Sequence, residues 1–340
     1  MAPSNRAAWL ETKQATDMVV GEAPYPSAGP GELVIRTQAV AINPADVGIQ
    51  KHGILLTAYP AILGCDAAGI VQDVGADLTD MYEPGDHVVG QTTPLLGDYK
   101  YAAFQEYVVL KMPILAKIPD HVRFSDAVVL PLGVDTAASC MFEAEMLGLE
   151  VPPGTAGRGK TLLVWGASSS VGSCGVQLAV AAGYEVFAIA SERNHDFLRA
   201  IGAAECFDYN DAGLVESVVE RLSGKEIVGA YDAISTESTL HALCDILHRS
   251  RGRKLIVGVM PGVETHAKLD VVIKTNFTQD LTASGTGAKI WQGFLEPAFD
   301  AGTFQYKPDA EIVGHGLESV QSAVDLLAKG VSAKKLVVTL

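Results

Sequence analysis

The chain has 340 residues, 48% of them hydrophobic, and a formal charge of −15 at neutral pH. Such a length exceeds one ordinary core and predicts two domains, while the apolar content excludes a disordered chain. The strong negative charge excludes the basic footprint that nucleic acid or an acidic membrane requires, so the expected partner is a small molecule.

The N-terminal segment Met1–Arg6 lacks the apolar core of a signal peptide, and no run reaches the ~20 apolar residues of a membrane span, which predicts a cytoplasmic protein. Short β-rich runs follow at Glu32–Ile42, Ala67–Val74, His87–Gly90 and Phe104–Val109, separated by Gly, Pro and Asp turns, and they predict a compact β-rich domain. From Phe124 to Phe142 the pattern turns helical, with Ser125 as the expected N-cap and the domain junction beside it. A Gly-containing insert, Glu150–Lys160, leads into a different grammar of alternating strands and helices.

That grammar opens with the apolar run Leu162–Trp165, a small-residue turn and the helical pattern of Val171, Val176, Leu178 and Ala179. A turn of this kind lets a phosphate approach backbone N–H groups and the positive end of a helix, so Ser168, Ser169, Ser170 and Val171 are candidates for a dinucleotide pyrophosphate. Serines stand there where glycines are often found, and the turn read alone is equally a plain connection. A second buried run, Glu185–Ala190, ends where an adenosine ribose would lie. No acid stands at that end; Ser191 and Arg193 offer a hydroxyl and a guanidinium, which suit a 2′-phosphate and favour NADPH, although Glu192 lies between them. Asn194, Tyr209 at the end of the run from Cys206, and Val257 complete the cofactor set. Further elements are expected at Gly229–Ile234 (strand), Leu240–Leu247 (helix), Lys254–Met260 (strand), Leu281–Ser284 (short strand) and Ala288–Ala301 (helix), making a doubly wound parallel sheet. Five cysteines without C-x-x-C spacing predict free thiols, with neither a disulfide framework nor a structural zinc.

Five motifs in order, Ala41–Asp46, Gly64–Gly69, Gly85–Gly90, Leu130–Ala137 and Ala167–Gly172, resemble the zinc-independent branch of the medium-chain dehydrogenase/reductase superfamily. Within it the chain is most similar to quinone oxidoreductases and the trans-acting enoyl reductases of fungal polyketide pathways. The resemblance implies an α/β fold: a GroES-like β-rich domain over residues 1–125, completed by 286–340, and a doubly wound Rossmann domain over 126–285 that binds NADPH. Leu336–Leu340 would be a strand returning to the first domain. Asn43, Asp46 and Thr136 are the implied nicotinamide neighbours, with a turn-and-cap role for Asn43 and Asp46 equally open. No metal is expected, because Asp46 and Cys65 stand at the positions of the zinc ligands and no histidine accompanies them.

The implied chemistry is hydride transfer from NADPH to an activated C=C bond in an enone, enoyl thioester or quinone. A carbonyl reductase or alcohol dehydrogenase of the same fold, or a non-catalytic NADPH-binding sensor or scaffold, are the competing readings. Lys51, His52 and Tyr59 are the proton-donor candidates, with water as the alternative, since Gly48 and His52–Ile54 replace the lysine and tyrosine of similar enoyl reductases. Leu95 and Tyr99 in the loop Gln91–Tyr101, with Leu132, Ser284 and Thr286, are the candidate contacts to an apolar or aromatic unsaturated substrate. A polyketide synthase is a candidate partner, and both a monomer and a homodimer fit the family.

Overall fold

The computed structural model describes residues 4–276, 281 and 283–340. In chain order the elements are β1 (Asn5–Leu10), β2 (Val19–Ala23), β3 (Glu32–Ala41), α1 (Pro44–His52), β4 (Ala61–Ile62), β5 (Asp66–Val74), β6 (His87–Gln91), β7 (Tyr107–Lys111), β8 (Leu115–Lys117) and α2 (Phe124–Ala127). Then come α3 (Pro131–Phe142), β9 (Lys160–Trp165), α4 (Ser170–Ala181), β10 (Glu185–Ala190), α5 (His195–Ala200), β11 (Glu205–Asp208), α6 (Leu214–Arg221), β12 (Glu226–Asp232), α7 (Glu237–Arg249), β13 (Leu255–Gly258) and β14 (Val272–Thr275). The chain closes with α8 (Thr286–Ile290), a π-helical turn Trp291–Leu295, α9 (Glu296–Asp300), β15 (Asp309–His315), α10 (Val320–Leu327) and β16 (Lys334–Thr339). Among the described residues no helix is long and apolar enough to cross a membrane.

The chain divides into two units at Leu132/Gly133 and again at Phe294/Leu295. The first unit holds a three-stranded sheet, β2-β1-β4, and a larger sheet in the order β15-β16-β3-β5-β6-β8, with β7 also paired to β3. β3 is the hub: its first half pairs with β7 and its last residues, Ala39–Ala41, pair antiparallel with Val337–Thr339 of β16, so the closing strand does return to this unit. Leu33, Ile35, Val88, Leu110 and Val338 are fully buried at its centre. The second unit is one parallel sheet in the order β11-β10-β9-β12-β13-β14. Numbered within the unit this is 3-2-1-4-5-6, the doubly wound Rossmann order, whose ligands lie at the carboxyl ends of the strands where the order reverses. Its strands are apolar because both faces are covered; Leu163, Val164, Phe187, Ile189 and Ile256 have no accessible surface.

Several expectations need correction. The helical stretch Phe124–Phe142 is two helices, α2 and α3, with Pro131 opening the second where its missing N–H costs nothing. Ser125 is not the N-cap: Arg123 holds that position and Ser125 lies buried inside α2. α2 packs on β3, β5, β15 and β16, which is why the first division falls after Leu132 and not at 125/126. The second falls within the run from α8 to α9, nine residues or so beyond the expected 285/286. The strand expected at Leu281–Ser284 is turn at Leu281 and Ala283 and bend at Ser284, while Thr282 lies outside the described residues. The sixth parallel strand is instead β14, whose Val-Ile-Lys-Thr run is short and β-branched. The helix expected from Ala288 starts at Thr286 and passes through the π turn, where the buried Trp291 donates its indole N–H to Asp135 of α3 at 2.6 Å.

Candidate active site

In the second unit the site is built at the turn after β9. Gly166 sits at φ +68, a left-handed conformation that glycine adopts freely, and reverses the chain out of the strand. Ser169 caps α4, its hydroxyl accepting the N–H of Gly172 at 3.0 Å. Gly172 must be glycine, since a Cβ there would lie 2.2 Å from the carbonyl oxygen of Gly166. The first turn of α4 therefore lies directly against the β9 turn, forming the cradle that a phosphate needs at a helix N-terminus. Gly166 and Gly172, six residues apart in the sequence, shape the turn more than the three serines between them.

Four of the candidate cofactor residues, Ser168, Ser191, Asn194 and Tyr209, meet at the same carboxyl edge. Asn194 donates its amide to the Ser168 hydroxyl at 2.9 Å, joining the segment after β10 to the turn after β9. Ser191 donates to the Tyr209 hydroxyl at 3.3 Å, joining the ends of β10 and β11. Ser168, Ser169, Ser170, Val171 and Ser191 are half-buried, and Arg193 and Tyr209 are exposed. Val257 is fully buried in β13 between Tyr231 and Lys274, so only its backbone is available to a ligand. Thr136 lies buried on α3, one residue from Asp135. Ser284 and Thr286 line a cavity of about 590 Å³ together with Phe142, Glu143 and Lys289, and Ser284 donates to Glu143 at 2.5 Å.

In the first unit, Asn43 and Asp46 form a reciprocal cap on α1: the Asn43 N–H donates to Asp46 Oδ2 at 2.8 Å. Asp46 Oδ1 also accepts the Gly64 N–H at 3.1 Å. The Asn43 amide donates to Asp66 Oδ2 at 2.8 Å, and the Lys335 ammonium lies 3.0 Å from the same oxygen while donating to Asn43 Oδ1 at 2.5 Å. Asp66 Oδ1 accepts the Leu132 N–H at 2.7 Å. All four side chains are buried. Burial, aided by the neighbouring Asp66 charge, pushes the Asp46 carboxyl up to about 7 against the pull of its two backbone donors and Lys335. The adjacent Cys65 thiol is driven well above its usual range by burial, then by Asp46 and Asp66, which makes it an inert thiol. Lys335 was missed by the sequence reading; its signal was a lysine beside the apolar run Leu336–Val338.

The remaining candidates are spread over the first unit. Lys51 is held by Asp325 of α10 at 2.6 Å, His52 is exposed at the end of α1, and Tyr59 packs part-buried, its hydroxyl 3.5 Å from the Leu56 carbonyl. Leu95 and Tyr99 are exposed on two short 3-10 turns. That loop is anchored by Glu32 of β3, which accepts from Tyr101 and from Lys100. Burial would raise Glu32, but the bonds from Tyr101, the Gly29 N–H and Lys100 outweigh it and hold the carboxyl below its usual range. Among the described residues, the group whose ligand atoms come within 4.8 Å of one another for a metal is Glu237, His241 and His266. The expectation of no metal was drawn from cysteine spacing and family positions, and neither points to a histidine pair brought together from α7 and a distant turn.

Residues 29–120 match the family of the alcohol dehydrogenase GroES-like domain, and residues 170–298 match that of the zinc-binding dehydrogenase. The dehydrogenase pigH of Monascus ruber is 37% identical, with 99% of this chain and 100% of that protein covered. The trans-enoyl reductase himH of Aspergillus japonicus is 35% identical over 98% and 97%. The crystal structure of CurK enoyl reductase shares the fold, with TM-score 0.75, 18% identity and 99% of each chain covered. A catalytic zinc does not fit Asp46, Cys65 and Asp66 here, because the Lys335 ammonium already stands against the Asp66 carboxylate as its cation and the Asp46 carboxylate oxygens are taken by the backbone N–H groups of Asn43 and Gly64. A nicotinamide dinucleotide does fit the Gly166–Gly172 cradle, the part of the fold that holds this cofactor's pyrophosphate. On its motifs, its two domains and relatives matched over almost their whole length, the chain belongs to the medium-chain dehydrogenase/reductase superfamily and is an oxidoreductase built on a GroES-like and a Rossmann domain.

Proposed function

We propose that this oxidoreductase uses NADPH to reduce an activated C=C bond in an enone, enoyl thioester or quinone. The observation that carries the cofactor choice is the end of β10. β10 itself ends on Ala190 and Ser191, and although Glu192 and Asp208 stand at the same edge, the Ser191–Tyr209 hydroxyl pair and the exposed Arg193 guanidinium offer donors and charge for a 2′-phosphate. Bound there, the cofactor supplies the hydride. Ser168 to Val171 receive the pyrophosphate through the backbone, and Asn194 holds the Ser168 side chain in place.

The buried Asn43–Asp46–Asp66–Lys335 network supports an electron-poor alkene over a simple carbonyl, since its cation is an ammonium locked in hydrogen bonds and no Lewis acid fits beside it. Relatives named trans-enoyl reductases point the same way. Lys51 is tied to Asp325, which leaves His52 and Tyr59, or water, to deliver the proton at the α-carbon. Exposed Leu95 and Tyr99 suit an apolar or aromatic substrate, and a polyketide synthase presenting an enoyl thioester is the matching macromolecular partner. The test follows NADPH and NADH oxidation by absorbance against a quinone, an enone, an enoyl thioester and a simple ketone. Turnover of the first three with NADPH is expected; turnover of the ketone alone, or equal rates with NADH, would sink the reading.

A further inference from the structure

α7 is fixed at its start. Asp232, at the end of β12, accepts the Thr239 hydroxyl at 2.5 Å, and Thr236 caps the helix in a reciprocal bond with Thr239. Glu237 and His241 follow four residues apart, so they share one helix face. The same face runs on to Asp245 and His248, and each of these meets a residue of the segment between β13 and β14: Asp245 pairs with Lys268 at 3.0 Å and His248 with Asp270 at 2.7 Å. One turn earlier, the residue that meets the helix is His266, at the end of a 3-10 turn over Val263–His266. The His241 and His266 rings lie 6.0 Å apart, nearly edge to face, and their ligand nitrogens and a Glu237 oxygen all fall within 4.8 Å.

This first rung differs from the other two. Each of them is a closed pair of one nitrogen with one carboxylate, whereas here a carboxylate meets two imidazoles, and none of the three side chains makes a hydrogen bond or ion pair among the described residues. Two imidazole nitrogens and one carboxylate oxygen are the donors of borderline cations of the zinc class, whereas calcium and magnesium take oxygen alone. Tetrahedral zinc with bonds of about 2.1 Å places its ligand atoms about 3.4 Å apart, a closure that rotation of three side chains near the surface supplies. His241 and His266 are half-exposed and Glu237 is exposed, so an ion has an entry path and a fourth position open to water.

We propose that Glu237, His241 and His266 form a surface binding site for a divalent zinc-class ion, which clips α7 to the turn after β13. The site lies on residues remote in sequence from Asp46, Cys65 and Asp66 and does not depend on the reductase reading. The experiment titrates Zn²⁺ into the untagged, chelator-stripped full chain by calorimetry, with Co²⁺ as a spectroscopic reporter of coordination, and measures Tm with and without metal. Expected are one saturable site, a Tm raised by Zn²⁺, and an affinity at least about tenfold weaker in His241→Ala, His266→Ala and Glu237→Gln. His248→Ala should bind as the parent chain does. Equal Tm values in chelator would show that the variants are folded; any that is not is replaced by His→Gln at the same position. Absence of saturable Zn²⁺ binding, binding unchanged in the variants, or a loss confined to one of them would overturn the three-ligand site.

Discussion

The two polar clusters nearest the expected chemistry are built in opposite ways. In the first unit Asn43, Asp46, Asp66 and Lys335 are buried, and the donors and acceptors described for them are taken by one another or by backbone. At the carboxyl edge of the parallel sheet, Ser168–Asn194 and Ser191–Tyr209 are neutral bonds in which the two serines are half-buried and Tyr209 is exposed, beside an exposed Arg193. A closed cluster holds its geometry because loss of Asp66 or Lys335 strands a buried charge and loss of the others strands a buried donor or acceptor; an open neutral one can trade its bonds for those of a ligand at little cost. The first is suited to shaping a site, the second to being one.

Breaking the closed cluster should have the largest effect. Lys335→Met leaves the Asp66 carboxylate, which has no accessible surface, without its cation, and should destabilise the fold by about 3–5 kcal/mol in urea or thermal denaturation. Adding Asp66→Asn should restore most of that loss; no recovery in the double variant would mean that the lysine acts by packing alone. Next comes a pH effect. Asp46 titrates near 7 when folded and near 3.9 when unfolded, so between these values the native state holds a proton that the unfolded chain has released. Its contribution is therefore complete below about pH 4 and is lost as pH rises through 7. Asp46→Asn abolishes this slope: the stability gap between parent and variant should shift by on the order of 2 kcal/mol from pH 5 to pH 8, in the direction that favours the variant at high pH. Parallel curves would place the Asp46 proton elsewhere.

How much of this was readable beforehand follows from the range of the forces involved. The parallel sheet was legible because each strand carries its own apolar run, and Ser168–Asn194 lay within residues already singled out. β14 was overlooked because four residues with a lysine among them are too short to show a period. Lys335 pairs with Asp66 across 269 residues of sequence, and only the return of β16 to β3 brings them together. Asn43 and Asp46 had two open readings, cofactor neighbour and helix cap; the cap is what local spacing alone could form, three residues apart. His266 reaches α7 through a turn after β13 that no sequence period encodes.

The open cluster is broken more gently. Gly172→Ala drives a methyl into the Gly166 carbonyl, which should cost about 1–3 kcal/mol of stability as the helix is pushed off the turn. The same shift moves the cradle, so NADPH affinity, read by fluorescence titration, should fall by about tenfold or more. A stable variant with intact affinity would mean that the turn after β9 does not hold the pyrophosphate.

The smallest effect is the one that separates the two cofactors. Arg193 is exposed beside the Ser191–Tyr209 pair, and removing it disturbs no packing. If its guanidinium meets a 2′-phosphate, Arg193→Ala should weaken NADPH by about tenfold, near 1.4 kcal/mol, and leave NADH unchanged, because the two cofactors differ only in that group. Ser191→Asp should go further, repelling the phosphate while offering a carboxylate to the ribose diol, and so invert the preference. Both ratios come from kcat/KM with each cofactor. Equal losses for NADPH and NADH in Arg193→Ala would mean that the arginine serves the pyrophosphate or the fold, and the choice of NADPH would then have to rest on some other residue of the same edge.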